Sequence, residues 1–320
     1  MFDAFFIMLK NVAVFVALAM PGFILVKTKL LSQEHSGVMS KFLMYVGLPF
    51  MIVTSVVNKV VFSPSTLAVI GVAVAVGVVF TLLAFFMSKP TVLMEKDAKK
   101  QGMMRFCSVF SNNGFLGIPL AAAVFPSQPT VVLVVIIINI ITNVMLYTLG
   151  VYAVTGDGKS MNIKKALINP VIIAFIVGVV INLTGVVQYV PEINTFSTHF
   201  SSVVTPLSMT ILGMKMGSVK ISSLFLEIRT YYVSALKLIV YPVIIVALML
   251  LCKTLCVPFI NTEFVLGIFM AFSMPTAGLA SAFADTYDGD GEGAVKYTLN
   301  STILSVITIP VLYLLITLLV

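Results

Sequence analysis

Asn112 and Asn113 stand at the head of the segment Ser111-Asn112-Asn113-Gly114-Phe115-Leu116-Gly117-Ile118-Pro119-Leu120, whose flanks are apolar enough to cross a bilayer. Paired amides supply hydrogen-bond donors and acceptors where hydrocarbon offers none. A backbone interrupted at membrane depth is tolerated only where it is buried in protein or lines a water-filled cavity. Broken membrane helices are how many secondary transporters build a substrate site. A second break is read at Phe272-Ser273-Met274-Pro275-Thr276-Ala277-Gly278. Proline suits the first turn of a helix, because its missing N–H would be unpaired there anyway. Pro119 and Pro275 are therefore expected to open the two second half-helices, aiming free N–H groups and positive dipole ends at one place. Such a place attracts an anion, above all a carboxylate. The substrate-binding candidates are Ser111, Asn112, Asn113, Gly114, Gly117 and Pro119 from the first break. The second offers Ser273, Met274, Pro275 and Thr276. Gly114 and Gly117 are expected to adopt unusual dihedrals and admit substrate closely. Packing kinks, with the amides bonding freed backbone groups, are the competing reading; two breaks at matched positions favour a site.

Further polar residues could line the same cavity. Asn139 and Asn143 are four apart and share a helix face; Asn300, Ser301, Thr302 and Ser305 polarise the last span. Interhelical hydrogen bonding is the alternative for both groups. Tyr45 and Pro49 are candidates for a wall of the site. Lys237 lies inside a span, where it meets a substrate carboxylate, neutralises charge within the moving helices or snorkels to the cytoplasmic surface. No Asp or Glu sits at mid-membrane, which weakens a proton-antiport relay. Coupling to sodium or entry of a protonated substrate both stay open. Cys252 and Cys256 have no histidine beside them, so neither a metal nor another cofactor is expected. An intramembrane enzyme is disfavoured because no histidine cluster, carboxylate pair or nucleophile–base pair is visible.

The elements that must position these residues are membrane helices. The 320 residues are 60% hydrophobic and 10% charged, with mean hydropathy +1.13, which excludes an ordinary soluble domain. Ten apolar spans are read at residues 2–26, 41–57, 66–87, 103–125, 130–154, 167–187, 196–216, 231–252, 264–286 and 295–320. The net charge of +7 is placed as orientation signals rather than as a nucleic-acid surface. Lys27, Lys29 and Lys41, then Lys89, Lys96, Lys99, Lys100 and Arg105, then Lys159, Lys164 and Lys165, then Lys215, Lys220 and Arg229 fall in odd-numbered connections. That bias places a multi-pass protein in the cell membrane with both termini outside the cytoplasm. Phe110-Ser111 before one break matches Phe272-Ser273 before the other, and Leu48-Pro49 matches Thr205-Pro206. Residues 1–154 and 155–320 thus form two repeats of five spans, inverted because five is odd. The expected fold is all-α, with broken spans 4 and 9 crossing near the midplane.

The Asn/Gly/Pro segment around Asn112 resembles the signature of the auxin efflux carrier family, whose bacterial members include transporters of malonate and malate. Asn169-Pro170, Leu212-Gly213-Met214, Lys237-Leu238 with Pro242, and Met274-Pro275 also look like family features. The resemblance implies an inverted-repeat fold related to bile-acid and sodium/proton carriers. It implies a scaffold of spans 1, 2, 6 and 7, which can form a homodimer interface, and a moving transport domain of spans 3–5 and 8–10. The short polar linker at residues 155–165 departs from the long loop of plant members and favours the organic-acid branch. The expected function is secondary active transport of small organic anions, mono- or dicarboxylates such as malonate or malate, by alternating access. An auxin-like aromatic-acid carrier and an anion channel are the alternatives.

Overall fold

The computed structural model describes residues 2–32, 34–161, 164, 168–218 and 226–319. Lys165, Leu167 and Lys220 of the sequence reading lie outside the described residues. Among those described, the chain forms helices and no strand. The first half comprises α1 (Phe2–Lys27), α2 (His35–Lys59), α3 (Pro64–Met87), α4 (Ala98–Val109), α5 (Asn113–Val124) and α6 (Pro129–Thr155). The second comprises α7 (Pro170–Thr184), α8 (Glu192–Ser218), α9 (Ile228–Thr254), α10 (Thr262–Phe272), α11 (Ala280–Thr286) and α12 (Gly291–Thr317). The apolar stretch Leu9–Lys27 of α1, together with α2, α3, α6, α9 and α12, is long and apolar enough to cross a bilayer. Helices α5, α7 and α10 are apolar but shorter. Spans 4 and 9 are each split in two, as α4 with α5 and α10 with α11.

Packing partners repeat between the halves. Helix α1 packs along α8, and its counterpart α7 packs along α2; α6 packs against α10, and α12 against α4. The α1–α8 contact is backbone to backbone. A Cβ on Gly22 would lie 1.9 Å from the Thr210 carbonyl oxygen, and one on Gly213 would lie 1.8 Å from that of Ala19. Small residues at such a crossing supply the van der Waals contact that hydrophobicity cannot supply between helices in lipid.

The helix ends sort by connection number. On one face Arg229 pairs with Glu95 at 3.0 Å, Lys296 with Glu227 at 3.5 Å and Lys99 with Asp288 at 2.7 Å, tying the third, seventh and ninth connections together. At the other ends, Asn58 donates to Asn194 at 2.8 Å, joining the second and sixth. The Lys99–Asp288 pair is exposed and adds little stability, while the other two are half-buried; together they gather these connections on one face.

Among the described residues, four π-turns occur in the helices, at Leu43–Gly47, Asn113–Gly117, Leu146–Gly150 and Leu236–Val240. Three end two residues before a proline, namely Pro49, Pro119 and Pro242. A helix-interior proline offers no N–H to the carbonyl four residues back, and its ring collides with it. Opening the preceding turn to an i→i−5 pattern moves that carbonyl aside. Pro206, matched to Pro49 in the sequence repeat, sits in α8 without such a turn.

Candidate functional site

The two breaks touch. The Asn112 N–H donates to the Pro275 carbonyl at 2.8 Å, and the Ala277 N–H donates to that of Phe110 at 2.9 Å. These bonds make an antiparallel bridge of Ser111 with Thr276. Each extended segment thereby satisfies the other's backbone, the requirement for non-helical chain at membrane depth.

The broken end of α4 is satisfied by side chains. Lys237, fully buried on α9, donates from Nζ to the Val109 carbonyl at 3.2 Å and to Ser111 Oγ. Thr276 Oγ1 donates to the Cys107 carbonyl at 2.8 Å. A cation is well placed there, since a helix C-terminus carries partial negative charge. The snorkelling alternative for Lys237 is thereby excluded, because its ammonium points into the bundle. Lys237 lines neither of the clefts described below.

Both half-helix starts differ from the sequence expectation. Helix α5 begins at Asn113, with the Asn112 carbonyl accepting the Leu116 and Gly117 N–H groups at 3.2 and 3.1 Å. Pro119 therefore lies within the helix, tolerated by the π-turn before it. Helix α11 begins at Ala280, and Pro275 belongs to the extended crossing. The ring of Pro275 favours extended backbone at Met274 before it, and its carbonyl is what Asn112 binds. Gly114 and Gly117 are helical, and positive φ among the described glycines occurs at Gly156 and Gly185. Their smallness serves packing: a Cβ on Gly117 would meet Met274 Cγ at 3.2 Å, and one on Gly114 would meet Leu48 Cδ1 at 3.2 Å.

Two clefts flank the crossing, sharing Asn112, Phe115 and Gly278. The first, of about 40 Å³, is lined by Ser111, Asn112, Gly114, Asn139, Thr142 and Asn143, with Leu48 and residues 277–279. The second, of about 30 Å³, adds Ser40, Ser208, Lys215, Thr298 and Thr302. Asn113 is buried, donating to Thr142 Oγ1 at 3.4 Å. Its Oδ1 and the Nδ2 of Asn139 are buried without a hydrogen-bond partner among the described residues, a costly state that marks a polar centre. Asn143 donates to Asn139 at its carbonyl, 2.8 Å, and at Oδ1, 3.2 Å.

Other candidates are placed differently. Ser273, Met274, Pro275 and Thr276 are buried in the crossing and line neither cleft; Ala277, Gly278 and Leu279 stand at the cleft wall instead. Asn300 is buried and its Oδ1 accepts from Ser234 at 2.6 Å, joining α9 to α12. Tyr45 is exposed and Pro49 half-buried, and the wall from α2 is formed by Leu48 and Ser40. Sequence reasoning missed Ser208 and Lys215. Ser208 Oγ donates to the Phe115 carbonyl at 3.1 Å, and Lys215 Nζ to that of Gly278 at 3.1 Å. The available signal was their seven-residue spacing, two turns along one face of α8.

What this arrangement can do is limited and specific. Amide side chains border the first cleft and an ammonium the second, with the start of α5 between them; among the described residues no nucleophile–base pair stands at either. An uncharacterised transporter from Methanothermobacter thermautotrophicus is 26% identical over 296 residues, covering 92% of this chain and 93% of its own. The profile of a family described as membrane transport protein matches residues 6–165 and 157–313. The chain belongs to that family, the auxin efflux carrier-like group that its fourth-span signature resembles.

Proposed function

We propose that the protein is a secondary active carrier of small organic anions, mono- or dicarboxylates such as malonate or malate, working by alternating access. The observation that carries this reading is the bridged crossing of two broken spans beside a cleft lined by Asn112, Asn139 and Asn143. Asn112 and the first N–H groups of α5 would hold the carboxylate, as helix N-termini hold anions elsewhere. Helices α1, α2, α7 and α8 would be the static scaffold and a homodimer surface, with the remaining helices moving against them. The lysine-rich connections would face the cytoplasm of a cell-membrane protein, leaving both termini outside. Sodium or a proton would couple the cycle.

Counterflow separates this reading from a channel. Proteoliposomes loaded with unlabelled malonate or malate should accumulate external labelled acid transiently, saturably and faster than empty ones. Flux that does not saturate and shows no counterflow would refute a carrier.

A further inference from the structure

Lys215 belongs to the charge pattern at the helix ends by sequence, yet the fold gives it other work. It stands on α8, one of the helices read above as scaffold, and reaches the second break, where its Nζ meets the Gly278 carbonyl at 3.1 Å. The cleft it lines also contains Asn112. Asp285 on α11 is near enough to act on it electrostatically, but no ion pair joins the two among the described residues. An ammonium inside a bundle is costly unless matched by an anion. A carbonyl oxygen is a weaker partner for it than a carboxylate.

We infer that Lys215 is the cation that recognises the substrate carboxylate, with Gly278 O holding the ammonium until the anion arrives. The inference rests on the organic-anion reading and gives it a charge-selective residue. Ser208, two turns earlier, makes the analogous bond to Phe115 O without charge. Helix α8 thus grips both breaks, and only its Lys215 grip is one that an anion can take over. Occupancy would release Gly278 from α8, freeing the crossing to move relative to the helix that held it.

The test uses purified full-length protein with malonate, its uncharged diamide and inorganic phosphate as probes, read by calorimetry. Wild type should bind malonate and not the diamide. Lys215→Gln should weaken malonate binding about tenfold or more, the scale of one charge-assisted contact. Lys215→Arg should stay within about threefold, since it keeps the charge. As a measurement independent of folding of variants, malonate should slow amine-directed acylation of Lys215 in wild type, followed by peptide mass spectrometry. Malonate binding with Lys215→Gln unchanged, or with no protection of Lys215, overturns the inference and leaves the carrier reading intact. Failure of wild type to bind malonate, succinate or malate overturns the organic-acid reading and this inference with it. Equal affinity for phosphate would show an unselective anion site and overturn the carboxylate assignment.

Discussion

The two breaks occupy matched places in the two halves, yet they are built differently. The first keeps its side chains at the cleft: Ser111, Asn112 and Gly114 face open space, and α5 resumes at once through a π-turn. The second is packed shut from Ser273 to Thr276, and reaches the clefts only through Ala277, Gly278 and Leu279. Its resumption waits until Ala280. Under the proposed reading the two breaks would divide labour, the first reading the ligand and the second bracing it.

That division is open to attack at several points. Asn112→Ala should reduce malonate uptake in proteoliposomes about tenfold or more while the protein stays monodisperse, because the loss is of recognition rather than of fold. Unchanged uptake would move the site elsewhere. Gly117→Val should lower stability by about 1–3 kcal/mol through overpacking onto Met274, and Met274→Ala in the same chain should recover much of it; thermal unfolding in detergent reads both. Thr276→Val should cost about 1–3 kcal/mol by orphaning the Cys107 carbonyl, with malonate affinity retained. The smallest effect concerns the matched pair Ser111 and Ser273. Ser111→Ala removes a partner of buried Lys237 and should destabilise by about 1 kcal/mol or more. Ser273→Ala deletes a buried hydroxyl without a hydrogen-bond partner among the described residues and should be neutral within about 0.5 kcal/mol. Equal responses would erase the asymmetry.

Much of the architecture was legible in the chain. Hydropathy located helices of which six among the described residues are long and apolar enough to cross a bilayer, and the Asn/Gly/Pro run located the first break, because backbone in lipid leaves few ways to place such residues. Where the helices restart was less legible. Pro119 and Pro275 both read as helix openers, but a π-turn absorbs one and an extended bridge uses the other. These outcomes depend on a partner segment more than a hundred residues away. Lys215 was hidden for a similar reason. Near the end of a span a lysine reads as an orientation signal, and only the approach of α8 to the crossing turns it inward. Lys237 shows the same dependence: its burial follows from the broken end of α4, which needs a donor there. Tyr45 was misplaced because period alone does not say which face of α2 meets its neighbours.

The most direct measurement is a cryo-electron microscopy map of the protein in lipid nanodiscs with saturating malonate. Ligand density should lie against Asn112 and the N-terminus of α5, beside an intact bridge between Ser111 and Thr276. Ligand density remote from both breaks, or a fourth span running unbroken through Asn112, would contradict it.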